Sequence, residues 1–213
     1  MINAIDFIKT IPNLNLKYTT KESRQNTVAI LGSSKSTDAI DKYLRASSEI
    51  TRHFIENGFN VVHGCGTKGI MGEVYDAAQK HSIKDSLGKP IQNLAIVVEP
   101  LWGDENLSGC IPIGKANSEA ERITKFAKVA DSFVIFPGSA GSLQETTTLI
   151  QNNHYLKDGE SKKVILFGAE FWEGLVSQYK KLFDMKLLKE NPIGKLFHVV
   201  NSKEELFKLI AKK

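Results

Sequence analysis

The chain has few cysteines, no long apolar run and no dense block of charge, and each shortage removes a class of protein. Its 213 residues hold two cysteines, Cys65 and Cys110, outside any CxxC or CxxH spacing. One bridge would be sparse scaffolding at this length, so reduced thiols and no zinc site are expected. No stretch reaches the ~20 apolar residues that span a bilayer. Asp6 and Lys9 interrupt the run that a secretory leader would need. A soluble cytoplasmic protein with no membrane partner is therefore expected. Lys and Arg total 28 against 24 Asp and Glu, with no five like charges together. Nucleic-acid binding is left without support. The five histidines (His53, His63, His81, His154 and His198) share no ligand spacing, so no metal is expected. Internal repeats and low-complexity tracts are absent too.

What is present is an ordinary globular composition, 41% hydrophobic and 24% charged, in a length that suits one core. The expectation is a single domain over residues 1–213, with residues 1–26 as an N-terminal appendage. Ile2, Ile5, Ile8 and Ile11 fall at helical spacing before Pro12, and the stretch from Tyr18 to Asn26 reads as a polar linker. Short apolar strands are then predicted at 27–31, 60–63, 94–98, 133–136, 164–167 and 197–200, nearly all separated by helical patterns. Six such strands predict an α/β, Rossmann-like, doubly wound and mainly parallel sheet with helices on both faces. Gly58 stands where a helix C-cap glycine belongs. Pro100 to about Ser118 reads as a long loop carrying Trp102, Pro112 and Gly114.

The stretch Phe133 to Glu145, FVIFPGSAGSLQE, carries the most chemistry. A buried strand, a glycine turn at Pro137-Gly138-Ser139-Ala140-Gly141 and a helix opening at Ser142 make an anion site. The free N–H groups of the first helical turn point at the guest, for which phosphate is the natural candidate. No lysine follows the last glycine, so this is not a Walker A loop. Ser142-Leu143-Gln144-Glu145 also fits a capping box, in which Glu145 bonds back to the N–H of Ser142. Glu145 therefore either caps its helix or acts on what the anion carries.

Two more strands end in glycine-rich turns. Gly32-Ser33-Ser34 can offer hydroxyls to phosphate or cap the next helix. Gly64-Cys65-Gly66-Thr67-Lys68-Gly69, with Met71 just beyond, satisfies GxGxxG. It follows the second strand, and Glu99 lies well past the ~20-residue spacing of a dinucleotide site. Contact with phosphate or ribose suits this turn better than a dinucleotide does. If the three turns line one sheet edge, they form one nucleotide-sized pocket. His63, at a strand end, fits a core or rim role. Arg122 alone reads as a solvated helix residue.

Together these pieces resemble the LONELY GUY (LOG) family of cytokinin-activating phosphoribohydrolases, often labelled "lysine decarboxylase". Pro137 to Glu145 is similar to the family's P-G-G-x-G-T-x-x-E, and Glu121-Arg122 to its upstream E-R-K. Val61 to Ala78 and Gly32-Ser33-Ser34 resemble two further motifs, so the likeness covers about residues 27–155 with four motifs in order. The chain departs from the pattern at Ser139, Ser142, Cys65 and Ile123, the last removing a cation. The resemblance implies a Rossmann-like fold, a homodimer, no cofactor, and a small-molecule nucleotide as partner. It implies hydrolysis of the N-glycosidic bond of a nucleoside 5′-monophosphate, AMP or an N6-modified AMP. Glu145 and Arg122 would be catalytic. Gly32, Ser33, Ser34, Gly64, Gly66, Gly69, Met71, Gly138, Ser139, Ala140, Gly141 and Ser142 would hold the substrate. A nucleotide or molybdenum-cofactor-type carrier on the same fold, binding without cleaving, is the alternative. Lysine decarboxylation would need a pyridoxal phosphate lysine, and no lysine stands in a convincing setting.

Overall fold

The computed structural model describes residues 10–99, 108–156 and 160–210. Expectations for Ile2, Ile5, Ile8 and Trp102 fall outside these residues. Among the described residues, no helix is long and apolar enough to cross a membrane.

Among the described residues seven strands form one parallel sheet: β1 (Thr27–Leu31), β2 (Asn60–His63), β3 (Asn93–Val98), β4 (Ile111–Ala116), β5 (Ser132–Ile135), β6 (Lys163–Phe167) and β7 (His198–Val200). Their order is β4-β3-β2-β1-β5-β6-β7, and every neighbouring pair runs parallel. This is the expected α/β, Rossmann-like fold. The strands are apolar on both faces because helices cover both. Val28 and Ile30 of β1 join a core with α2 (Asp41–Glu56), α3 (Gly69–His81) and α7 (Lys203–Leu209). Ala29 and Leu31, one residue out of phase, join a second core with α4 (Glu119–Val129), α5 (Ala140–Tyr155) and α6 (Ala169–Asp184).

The sheet has one strand more than expected. β4 lies inside the stretch read as a loop, because Pro112 and Gly114 are turn residues by composition. Proline survives in a strand when that strand is at an edge, and β4 is. The described part of the N-terminal segment is also structured, the supposed linker from Tyr18 to Asn26 included. Asn15 N–H donates to Ile113 O at 2.7 Å, and Lys115 N–H to Pro12 O at 3.2 Å. A 3-10 turn, Leu16–Thr19, leads into α1 (Lys21–Gln25), which Thr20 caps by accepting from Ser23 N–H at 3.2 Å. Arg24 at its end pairs with Asp131 at 3.0 Å. Lys125 is buried and holds the same segment, donating to Asn13 Oδ1 at 2.6 Å and to Lys115 O. Gly58 takes the expected left-handed conformation, with φ +77°.

Candidate active site

The strand order reverses at β1, which has β2 on one side and β5 on the other. In open α/β sheets ligands bind beyond the carboxyl ends of the strands at such a point. The turns after β1, β2 and β5 touch there. Ser33 N–H donates to Pro137 O at 3.1 Å, and Ser33 O accepts from Met71 N–H at 3.2 Å. Gly69 N–H donates to Ser36 Oγ at 3.2 Å. Gly69 has φ +60°, and a Cβ there would sit 2.5 Å from Lys35 O and 2.7 Å from Ser33 O. Only glycine combines that conformation with that approach.

The turn after β5 supplies an open helix end. α5 begins at Ala140, earlier than the expected Ser142, and its N-cap Ser139 makes no side-chain capping bond. The first N–H taken up is that of Leu143, which donates to Ser139 O at 3.1 Å. Among the described residues no backbone carbonyl accepts from Ala140, Gly141 or Ser142 N–H. Ser139, Ala140 and Gly141 are exposed, so the rim is open to an anion. Ser142 is buried beneath Gly138, whose missing side chain leaves room for the Ser142 hydroxyl.

The early start removes the capping-box reading of Glu145. With Ser142 already within the first turn, Glu145 lies too deep in the helix to cap it. Its side chain is 9% exposed, and among the described residues it accepts no hydrogen bond. Burial pushes its carboxyl up to about 7; Arg122 opposes the rise and Glu119 adds to it.

α4 brings those two groups to the site. Arg122 Nη2 pairs with Glu119 Oε2 at 2.7 Å. The guanidinium lies over Gly64, where a Cβ would come within 2.7 Å of Nη1. Arg122 is thus no solvated helix residue; it lies against the β2 turn, and its charge acts on the Glu145 carboxyl. Glu121, its neighbour in the motif, turns away. It accepts from Asn117 N–H at 2.7 Å and pairs with Lys125 at 2.7 Å. Glu119 is the acidic residue of the site that sequence reasoning missed. A glutamate in the first turn of a helix is ordinary dipole chemistry, and its one signal is the i,i+3 spacing to Arg122. Ile123 is 1% exposed in the core, so a side chain at that position faces away from the ligand edge.

The remaining positions mostly shape the turns. Ser33 Oγ accepts from Lys35 N–H at 3.0 Å, and the next regular element is a 3-10 turn, Asp38–Ile40, so neither Ser33 nor Ser34 caps a helix. Ser34 is exposed. A Cβ at Gly32 would meet Ile70 at 2.8 Å, and one at Gly66 would meet Met71 at 3.1 Å. Met71 itself is 8% exposed. His63 is fully buried and locked in one tautomer. Its Nδ1 accepts from Cys65 N–H at 3.0 Å, so Nε2 carries the proton and faces Asn93 Oδ1 at 2.6 Å. Burial lowers its pKa to about 4, despite the Asn93 bond. Asn93 Nδ2 then donates to Gly109 O at 2.6 Å.

Comparison with known proteins bears on the family and the fold. Residues 66–210 match the model of a family described as "possible lysine decarboxylase". Two curated rice (Oryza sativa subsp. japonica) proteins are similar. One, cytokinin riboside 5′-monophosphate phosphoribohydrolase LOG, is 29% identical over 122 residues, which are 56% of this chain and 46% of that protein. The other, probable cytokinin riboside 5′-monophosphate phosphoribohydrolase LOGL9, is 28% identical over 109 residues, 51% of this chain and 44% of its own length. The match thus spans less than half the length of these relatives. Among solved structures, a molybdenum cofactor binding protein from Rippkaea orientalis superposes with a TM-score of 0.55 at 18% identity. That likeness covers 86% of this chain and 93% of the other, and it shows a shared fold. With a family model covering most of its length and the LOG motifs assembled at one sheet edge, the chain belongs to the LOG-type family described as "possible lysine decarboxylase".

Proposed function

We infer that the protein hydrolyses the N-glycosidic bond of a nucleoside 5′-monophosphate, with AMP or an N6-modified AMP as substrate, giving free base and ribose 5-phosphate. The observation that carries this reading is the buried Glu145 carboxyl, held near 7 beneath a helix end with unused N–H groups. An anion seat alone would serve a carrier. A carboxyl whose pKa sits near neutrality, one turn below that seat, serves acid–base chemistry.

In this reading the phosphate rests on the N–H groups of Ala140, Gly141 and Ser142, which fixes the ribose over Glu145. Departure of the base leaves positive charge on the sugar, as in glycoside hydrolysis. Ionised Glu145 stabilises that charge, orients a water toward the anomeric carbon and accepts its proton. The base leaves with the bonding electron pair and takes a proton from solvent, to which Glu145 later returns the proton it accepted. Arg122 keeps Glu145 ionisable at neutral pH by opposing the effect of burial. Decarboxylation of lysine draws no support from Lys125 or Lys162. Lys125 and Lys162, 6% and 14% exposed, are held by Glu121 and Asp131 in structural contacts.

The test is chromatographic. Protein is incubated with each common nucleoside monophosphate, and liberated base is measured for the wild type and Glu145→Gln. Release by the wild type alone is expected. Binding without release by the wild type would refute hydrolysis and favour the carrier reading.

A further inference from the structure

We propose that Cys65 and Cys110 are a redox-responsive pair that closes into a disulfide and pins the Gly64–Gly69 turn to the chain entering β4. This does not depend on the hydrolase reading. The two thiols lie 45 positions apart in sequence, yet their sulfurs are 2.7 Å apart. Both are reduced and buried, with Cys65 at 0% and Cys110 at 7% exposure. Ile11, Tyr75, Ala95 and Val97 form an apolar sleeve around them.

Two observations show that the meeting is built into the fold. Cys65 has φ +56°, a left-handed conformation that disfavours any residue with a Cβ. A thiol therefore stands where the backbone would accept glycine more readily. The second is the relay that clamps both backbones. Cys65 N–H donates to His63, His63 bonds Asn93, and Asn93 donates to Gly109 O, the residue before Cys110. The chain on each side of the sulfur pair is thus fixed by buried hydrogen bonds, and closure brings the sulfurs from 2.7 Å to a bond length of ~2.0 Å.

The chemistry is thiol–disulfide exchange with a low-molecular-mass disulfide as oxidant. Cys110, the more exposed, attacks as thiolate, forming a mixed disulfide and releasing one small thiol. Cys65 thiolate then attacks Cys110 Sγ and releases the second. Two protons pass from the cysteines to the released thiols, and the two electrons reduce the oxidant. The new bond spans β3 and ties the turn beneath Arg122 to the start of β4.

The experiment uses the full chain and glutathione disulfide. Free thiols are counted under denaturing conditions, the linkage is mapped by non-reducing peptide mass analysis, and Tm is measured with and without dithiothreitol. We expect thiols to fall from two to none, a linked peptide pair containing Cys65 and Cys110, and a Tm rise of roughly 5–15 °C that dithiothreitol reverses. Cys110→Ala should show no such rise. Persistence of both thiols, glutathione retained on both, linkage between chains, or an unchanged Tm in the linked form would each overturn the proposal.

Discussion

Replacing Glu145 by glutamine keeps the shape of the side chain and removes its charge, which separates catalysis from stability. The buried carboxyl titrates at about 7 in the fold against 4.5 for the ordinary group. Ionising it in the folded protein is therefore costlier by ~3 kcal/mol than in the unfolded chain. Between those two pH values the fold holds a proton that the unfolded chain has lost, so stability declines as pH rises through the window. Above about 7 the whole cost is present. Glutamine escapes it, and Glu145→Gln should be more stable than the wild type at alkaline pH by up to ~3 kcal/mol. For a chain of this size that is a Tm gain of roughly 6–12 °C, shrinking to nothing near the carboxyl's ordinary pKa. The same substitution should cost ~10²–10⁴-fold in turnover of the best nucleotide. His63 offers an internal check. Its pKa is lowered to about 4 from 6.5, so its contribution is complete above 6.5 and is lost as pH falls toward 4. The two slopes oppose each other in the wild type. In Glu145→Gln that opposition is gone. The His63 slope is joined by those of His53 and His198, which burial also lowers, and stability should climb with pH across that range. Scanning calorimetry over pH and chromatography of released base are the two assays. A variant less stable than the wild type above neutrality, or one turning over near the wild-type rate, would refute the reasoning.

Other positions give sharper local tests. Gly64→Ala puts a methyl against the mobile end of Arg122, so denaturant stability should change by under ~1 kcal/mol while kcat/KM falls at least about tenfold. Gly69→Ala meets backbone oxygens that cannot retreat and adds an unfavourable φ, for a loss of at least ~2 kcal/mol in a urea titration. Asn93→Ala leaves His63 Nε2–H and Gly109 O without their partner, for a loss of ~2–4 kcal/mol measured the same way.

Much of the sheet is legible in the sequence because strands buried on both faces must be continuously apolar. Thr27 to Leu31 and Leu94 to Val98 carry that signal with nothing to obscure it. β4 is illegible for the converse reason. At an edge it tolerates Pro112 and Gly114, and what makes it a strand is Leu94 to Val98 on one side and Leu14 on the other. The candidate site divides in the same way. The glycine turns announce themselves because close approach demands glycine, and the turn-borne N–H groups follow from the backbone alone. Glu145 is ambiguous in sequence, since Ser142 and Glu145 are spaced as a capping box. Only the helix start at Ala140 separates the readings. Glu119 and Glu121 are indistinguishable by type, and helical phase sends one to Arg122 and the other to Lys125. Ile123 looks like a lost cation until its burial shows that it faces the core.

The short antiparallel run of residues 12–15 along β4 has a consequence for how molecules of this protein meet one another. A parallel sheet ends in two rows of unused donors and acceptors, and each row invites a foreign strand. At one border Asn15 and Lys115 consume the ladder positions nearest Ile113, and Pro12 and Pro112 have no N–H to lend. At the other border β7 is three residues long, too brief to template a partner. Among the described residues, sheet extension thus meets occupied positions at the β4 border and only a three-residue strand at the β7 border.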